Sequence, residues 1–153
     1  MINIVLVEPE IPPNTGNVAR TCAATGAKLH LVGELGFSIE DKHLKRAGLD
    51  YWHLLNIERH ASLEELWSKD RMARYFYLST KGHKHYSEIK FMEDDYLVFG
   101  RETKGLPTEL LAAKTDCAFR IPMREGARSL NLANSVAIVL FEALRQLEFP
   151  DMV

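Results

Sequence analysis

Three short segments hold most of the unusual polar residues of this 153-residue chain, and each one follows an apolar run. They are residues 8–20 (EPEIPPNTGNVAR), 99–107 (FGRETKGLP) and 121–135 (IPMREGARSLNLANS). Their arginine, asparagine, serine and glutamate side chains can orient a substrate and stabilise developing charge. None of the segments contains the histidine or cysteine of a nucleophile–base pair, so they favour a reaction driven by an activated cofactor over hydrolysis.

Alternating strands and helices must position these segments. Short apolar runs predict strands at residues 2–7, 28–32, around 54–57, 74–79, 96–100 and 117–121. Periodic or capped stretches predict helices at residues 15–27, 41–48, 62–69, 107–114 and 131–147. The alternation predicts an α/β fold with a mostly parallel sheet, in which ligands bind at the carboxyl ends of the strands. We therefore expect the three segments to converge on one pocket.

The glycine pattern disfavours two common nucleotide sites. GRETKG has the two-glycine spacing of a phosphate loop, but Leu106 and Pro107 follow where Lys and Ser or Thr are needed. No GxGxxG follows a strand, which disfavours a dinucleotide site of the Rossmann type. Gly100 and Gly105 then indicate either a tight turn or a backbone that approaches a ligand closely.

Length and composition indicate one globular domain over residues 1–153. No apolar stretch reaches the roughly 20 residues of a membrane span, and the N-terminus lacks the basic region of a signal peptide. Cys22 and Cys117 are the only cysteines, which predicts reduced thiols and a cytoplasmic protein.

Basic residues are clustered although the net charge is −2. They occur at residues 42–46, 71–74 and 81–85 and at Arg120, Arg124 and Arg128. Two interpretations remain open, namely solvated loops or a face that binds phosphates. His83 and His85 have no third ligand nearby in the sequence, so we expect surface histidines and no metal site.

The last predicted helix is apolar over most of its circumference. Val136, Leu140 and Leu144 form one stripe, and Ile138 and Phe141 add apolar surface on other sides. Such a helix is buried on two sides, and in a chain of this size the second side predicts a homodimer.

NTGNVAR, FGRETKGL and SLNLANS, in this order and near these spacings, resemble the three motifs of the SPOUT, or trefoil-knot, RNA methyltransferases. The resemblance covers essentially the whole chain. It implies an α/β fold with a deep C-terminal trefoil knot. The short length, with no separate RNA-binding domain, and the EPEIPPNTGN opening resemble the members that methylate the 2′-oxygen of the tRNA wobble nucleotide. In these members the nucleotide is cytidine or modified uridine 34 of leucine tRNAs.

The resemblance also implies the cofactor and the site residues. S-adenosyl-L-methionine would lie against the knot loops, mostly on their backbone, at Leu78, Gly100, Ile121, Met123, Ser129 and Leu130. Glu102 would anchor loop geometry or bind Asn and Arg side chains. The family often has a tyrosine before a glutamate in the last helix. This chain has Phe141 at that position and so departs from the family pattern.

Catalysis is expected to centre on Arg20. Arginine is a poor general base, so we expect Arg20, with a neighbouring RNA phosphate, to orient the ribose hydroxyl and stabilise oxyanion charge. Ser129 and Asn131 would position the attacking oxygen or the cofactor. Asn14 or Thr15 is expected to cap the helix that carries Arg20.

Other functions stay open at this point. The same fold could methylate another ribose in tRNA or ribosomal RNA, or act as a non-catalytic RNA-binding module. A flavodoxin-like nucleotide-binding or signalling domain is a weaker alternative, because the phosphate loop and paired acidic residues are missing. In the main interpretation Arg124, Arg128 and residues 42–46 and 71–74 contact the anticodon backbone, with both subunits of the dimer contributing.

Overall fold

A seven-stranded sheet organises the computed structural model, which describes residues 1–40, 42, 46 and 53–153. Its strands are β1 (Asn3–Val7), β2 (Lys28–Val32), β3 (Ile57–His60), β4 (Tyr75–Leu78), β5 (Lys84–His85), β6 (Tyr96–Phe99) and β7 (Ala118–Arg120). Their order is β3-β2-β1-β6-β4-β7-β5, and every pair of neighbours is parallel. The predicted α/β class is confirmed. Most of the helix predicted at residues 41–48 lies outside the described residues.

Four α-helices are described, with two short 3-10 helices. They are α1 (Pro12–Thr25), α2 (Leu63–Lys69), α3 (Thr108–Ala113) and α4 (Leu132–Gln146), and the 3-10 helices are Tyr86–Glu88 and Thr115–Cys117. The sequence SLEE at residues 62–65 predicts a capping box at the start of α2, and the structure forms half of it. The Ser62 hydroxyl accepts from the Glu65 N–H at 3.2 Å, whereas the Glu65 carboxylate accepts from the N–H of Ala61 and not from that of Ser62. No described helix combines the length and apolar character that a membrane crossing requires.

The predicted start of α1 is wrong by three residues. The helix begins at Pro12 after Ile11, and no side chain caps it, so neither Asn14 nor Thr15 is the cap. Prolines fit the first turn because they have no N–H that needs an acceptor. The Thr15 hydroxyl is buried and has no partner among the described residues, whereas Asn14 is used elsewhere.

Two strands also differ from the prediction. The third strand occupies Ile57–His60, later than the apolar run at 54–57. The apolar run did not indicate this position, because the strand contains the polar residues Glu58 and His60 on one face of the sheet. β5 was not predicted, since two residues are too few to show a period.

The core forms two layers, one on each face of the sheet. One layer joins Ile4, Leu6 and Leu97 to α1 and α4, and the other joins Val5, Val98 and Tyr96 to α2 and α3. Every residue of β1 is buried, as expected for a parallel strand covered on both faces.

The chain order places the functional segments at one end of the sheet. From β1 the chain proceeds outward to β2 and β3, whereas β6 and β7 lie on the other side of β1. The connections therefore diverge between β1 and β6, the kind of position where open α/β sheets bind ligands. Residues 8–11 follow β1, and residues 100–107 follow β6, at this point.

Candidate active site

A cavity of about 610 Å³ lies at the carboxyl ends of β4, β6 and β7. The loops after these strands contribute residues 79–81, 100–106 and 128–131, together with Ile121 and Met123, to its lining. All six predicted cofactor residues line it, namely Leu78, Gly100, Ile121, Met123, Ser129 and Leu130. Glu102 and Asn131 line it as well, so the structure brings together eight of the nine predicted site residues.

Two acidic residues after β1 hold the loop after β6. Arg101 Nε donates to Glu8 Oε2 at 2.9 Å, and Glu10 Oε1 accepts from the Thr103 hydroxyl at 2.7 Å. The pKa of Glu10 is lowered, mainly by the hydrogen bond from Thr103. The pKa of Arg101 is raised, mainly by its hydrogen bond to Glu8. Glu8 has φ of +50°, an uncommon conformation for a residue with a side chain. These contacts fix the position of Arg101 and Thr103 beside the cavity.

Glu102 binds the start of α1. Its carboxylate oxygens accept from the backbone N–H of Glu10 at 2.9 Å and of Ile11 at 3.1 Å, and from the side-chain amide of Asn14 at 3.5 Å. A negative charge at a helix N-terminus is also favoured by the helix dipole. The expectation that Glu102 anchors loop geometry and binds an asparagine agrees with this arrangement.

Asn14 and Asn131 extend this chain of hydrogen bonds to α4. Asn131 caps α4, because its Oδ1 accepts from the N–H groups of Ala133 at 2.9 Å and Asn134 at 3.3 Å. Its Nδ2 must then point away from the helix, and it donates to Asn14 Oδ1 at 3.0 Å. Asn14 in turn directs its Nδ2 to Glu102. We call Glu102, Asn14 and Asn131 the carboxyl-end network.

The loop after β6 depends on two glycines. A Cβ on Gly100 would lie 2.1 Å from the carbonyl carbon of Gly105, where no side chain fits. Gly105 has φ of +66° and closes the turn through a bridge with Arg101. The close approach within this loop explains the glycines without a phosphate site.

Four cationic side chains line the cavity, namely Lys81, Arg101, Lys104 and Arg128. Arg101 is paired with Glu8. Among the residues that the structure describes, no carboxylate lies within 4.0 Å of the charged nitrogens of the other three. The cavity therefore has positive charge available for an anionic group. Lys81 was not predicted as a site residue, although its place in the loop after β4 could have indicated it.

Arg20 is the one predicted site residue outside the lining. It lies on the exposed side of α1, six residues after Asn14, or about 9 Å along the helix axis. Residues 71–74 also lie away from the cavity, because they precede β4 and so occupy the opposite end of the sheet.

A buried histidine cluster lies on the sheet face that α2 covers, and sequence patterns did not predict it. His30 Nδ1 is 2.9 Å from His60 Nε2, and His30 Nε2 is 2.9 Å from Asn3 Oδ1. Asn3 Nδ2 faces the carbonyl of Asp94 at 3.3 Å, so its oxygen is free to accept from His30. Burial is the main cause that lowers the pKa of His30 to about 4 and also lowers the pKa of His60.

Three ligand atoms of the kind that bind metals meet in this cluster. The candidate atoms of His30, Glu58 and His60 all lie within 4.8 Å of one another. The Glu58 carboxylate is already paired with the ammonium groups of Lys28 at 2.6 Å and Lys69 at 3.4 Å. Two ammonium groups beside the carboxylate oppose a bound cation, so we assign the cluster a structural role.

Comparisons with known proteins bear on this site. The model of the SpoU rRNA Methylase family matches residues 1–141. A tRNA (cytidine(34)-2′-O)-methyltransferase of Methylovorus glucosotrophus is 51% identical, and the match covers 100% of both chains.

Two solved structures are similar over most of the chain. The structure described as "Structural insights into the 2-OH methylation of C/U34 on tRNA" is 47% identical with a TM-score of 0.92, and the match covers 97% of each chain. An AdoMet-bound rRNA methyltransferase from Sinorhizobium meliloti is 31% identical with a TM-score of 0.84. That match covers 95% of this chain and 56% of the other.

The resemblance inferred from three short segments is thus confirmed by matches over nearly the whole length. Their order along the chain and their convergence on one cavity agree with it. The chain belongs to the SpoU rRNA Methylase family.

Proposed function

We propose that this protein is an S-adenosylmethionine-dependent enzyme that methylates the 2′-oxygen of the wobble nucleotide of tRNA. The observation that carries the proposal is the 51% identity over full length with a relative named for this reaction. Relatives in Escherichia coli and Saccharophagus degradans, 47% and 51% identical, bear the same name. Each of these matches covers at least 97% of both chains, so the similarity extends over nearly the whole of each relative.

The cavity suits the proposed cofactor. Its volume of about 610 Å³ lies in the usual range for small-molecule sites. Leu78, Phe99, Ile121 and Leu130 supply apolar surface for a purine ring, and the backbone of residues 100–105 supplies hydrogen-bonding groups. The cofactor would supply a methyl group already activated by a positively charged sulfur. The protein then needs to orient the acceptor oxygen and stabilise the charge that develops on it.

We assign this task to Arg20, Ser129 and Asn131. Ser129 and Asn131 line the cavity, and Asn131 is held by the cap of α4 on one side and Asn14 on the other. Arg20 would approach the target ribose from the exposed side of α1, together with an RNA phosphate. Glu102 acts as a positioning residue through its bonds to the start of α1.

The exposed face of α4 carries apolar residues that a second copy of the chain would cover. Ile138 and Phe141 are 37% and 43% exposed, and Leu130 and Ile11 add apolar surface near the helix N-terminus. We therefore include a homodimer in the proposal, with the deep trefoil knot and the cytoplasmic location as further predictions. Sedimentation that finds only monomer at micromolar concentration would contradict the dimer.

Methylation of another ribose is the competing function. It is favoured by the family description and by the 31% identity with an rRNA methyltransferase. That protein is much longer, since the match covers only 56% of it.

Mass mapping of the product tests the proposal. The protein is incubated with labelled S-adenosylmethionine and unmodified tRNA, which is then digested with nuclease. We expect one 2′-O-methyl group at nucleotide 34. Label at another ribose would retain the reaction and reject the target. Cofactor binding without transfer to any tRNA would favour a non-catalytic module or another RNA.

Arg20→Ala tests the catalytic assignment. We expect methyl transfer to fall by at least about 100-fold, because the variant lacks the guanidinium group that would stabilise the developing charge. Cofactor affinity, measured by calorimetry, should change by less than about twofold, since Arg20 does not line the cavity. Arg20→Lys is the matched control, because it keeps the charge but lacks the planar fork. Turnover by Arg20→Ala within about threefold of the parent would show that Arg20 is not catalytic.

A further inference from the structure

The free edge of the sheet at β5 is unusually basic. β5 pairs only with β7, and both of its residues, Lys84 and His85, are exposed. Lysine on an edge strand commonly prevents pairing with other chains, which would explain Lys84 alone. The positive charge extends well beyond this strand, so edge protection is an incomplete explanation.

Charge is segregated towards this edge. Residues 81–88 (KGHKHYSE) and 120–128 (RIPMREGAR) contain five lysine and arginine residues but only two glutamates, a net charge of +3. The whole chain has a net charge of −2, so the rest of the chain carries −5. An acidic protein with one basic edge attracts polyanions to that edge.

These cations begin at the cavity and occupy both faces of the sheet at its β5 edge. Lys81 and Arg128 line it, and Lys84 lies opposite Phe119 with its Nζ 5.9 Å from the ring centroid. Arg120, the next residue of β7, projects to the other face of the sheet. We call Lys81, His83, Lys84, Arg120 and Arg128 the β5 edge surface. β5 is two strand spacings from β4, about 10 Å, so the surface begins at the cavity and continues to the sheet edge.

The charges of this surface are not neutralised. Within the described ranges, no carboxylate lies within 4.0 Å of the charged nitrogens of Lys81, Lys84, Arg120 or Arg128. Glu88, the acidic residue nearest to Lys84 in the sequence, accepts from the backbone N–H of His85 at 2.6 Å instead. Arg74, at the opposite end of β4, shows the contrast, since it is paired with Asp95 at 2.9 Å.

We propose that the β5 edge surface binds the phosphates of the RNA strand that flanks the nucleotide held in the cavity. The inference rests on the proposed function, because an RNA strand that enters the cavity must leave it past a neighbouring surface. An RNA strand on this path would meet several unpaired cations within two β-strand spacings. Its phosphates would release condensed counterions, which makes the affinity dependent on salt.

The test is the salt dependence of tRNA binding by the full-length protein, followed by fluorescence anisotropy. For the double variant Lys84→Gln/Arg120→Gln we expect about tenfold weaker binding at low salt. The slope of log affinity against log salt should become shallower by about 1.4, because each single-strand phosphate that the protein no longer neutralises reduces it by about 0.7. Calorimetric affinity for S-adenosylmethionine should be unchanged.

Lys90→Gln/Lys114→Gln is the matched control, because it removes two positive charges from the segments that precede β6 and β7, at the opposite end of the sheet. Within the described ranges, no carboxylate lies within 4.0 Å of either ammonium group. We expect the parental salt slope for this variant. Equal reductions of affinity in both double variants would overturn the proposal, since they would indicate only a general effect of net charge. An unchanged slope in Lys84→Gln/Arg120→Gln would overturn it as well.

The binding measurement is separate from the identity of the methylated nucleotide. If tRNA binds with the predicted slopes but nucleotide 34 is not methylated, the edge surface is supported and the proposed target fails. If nucleotide 34 is methylated and the slopes are unchanged, the proposed target is supported and the edge surface fails.

Discussion

The carboxyl-end network and the buried histidine cluster are both chains of hydrogen bonds that join several segments, yet their surroundings differ. Glu102, Asn14 and Asn131 lie where loops meet at a cavity. His30 and His60, 2% and 4% exposed, are covered by α2 on the sheet face. Polar side chains that meet in three dimensions therefore do not by themselves mark a functional site.

Access to solvent separates the two roles. The carboxyl-end network holds cavity-lining residues in place, so a small shift in it moves groups that would touch a ligand. The histidine cluster instead fixes neighbouring strands, because its members lie on β1, β2 and β3. We therefore expect changes in the cluster to affect stability, and changes in the network to affect methyl transfer.

The largest expected effect is the loss of stability in acid that the histidine cluster should cause. The pKa of His30 is lowered from 6.5 to about 4, so the unfolded chain binds this proton at higher pH than the folded protein. Neutral His30 thus contributes stability above pH 6.5, and the contribution is lost as the pH falls to about 4. We expect the free energy of unfolding to decrease by roughly 3 kcal/mol over this range, measured by urea titration at several pH values.

His30→Asn isolates this effect, because a variant without the imidazole lacks this part of the pH dependence. The variant should be less stable than the parent, while methyl transfer per folded molecule is retained. If the variant stays folded but loses methyl transfer, the division between the two regions is wrong.

Glu102→Ala should have the next largest effect, on activity. It leaves the N–H groups of Glu10 and Ile11 and the amide of Asn14 without their acceptor. We expect methyl transfer to fall by about 100-fold, or about 2.7 kcal/mol, since a displacement of about 1 Å in a site has this cost. Single-turnover kinetics provide the measurement.

The matched control for Glu102→Ala is Glu109→Ala, which removes an exposed carboxylate from α3. We expect parental rates for the control. Similar reductions of the rate in both variants would point to net charge and not to the hydrogen bonds of Glu102.

Substitutions of Asn131 distinguish its capping role from its positioning role, and the expected changes in stability and rate are the smallest of the three. Asn131→Ala should lower stability by about 1 kcal/mol, because α4 is left without its cap. Methyl transfer should fall by about tenfold, because the bond to Asn14 is broken as well. Asn131→Ser keeps a capping oxygen but cannot donate an amide to Asn14. We therefore expect Ser to restore the stability, as measured by urea unfolding, but not the rate; recovery of both would contradict the bond's positioning role.

The sequence carried enough information for most strands of the sheet and for the convergence of the three polar segments, because apolar runs and the turns after them are local signals. It did not reveal how the segments bind one another. Asn14 is of a residue type that often caps helices. Because α1 already begins at Pro12 and Pro13, the Asn14 side chain is free to bind Asn131. Only the fold shows this choice, because the partner is 117 residues away.

The histidine cluster could not be predicted for a related reason. His30 and His60 are single polar residues within apolar strands, and their pairing depends on the register of β2 and β3. His83 and His85, adjacent to lysines, were correctly expected at the surface. A trefoil knot is likewise a property of the whole path of the chain, and here it remains a prediction.

Hydrogen–deuterium exchange with and without S-adenosylmethionine tests the central claim most directly, because it locates the bound cofactor within the chain. We expect protection of the loops at residues 79–82, 100–106 and 121–131, and no change around β2 and β3. Protection confined to β2, β3 or α2, or no protection at saturating cofactor, would contradict the assignment of the carboxyl-end cavity as the cofactor site.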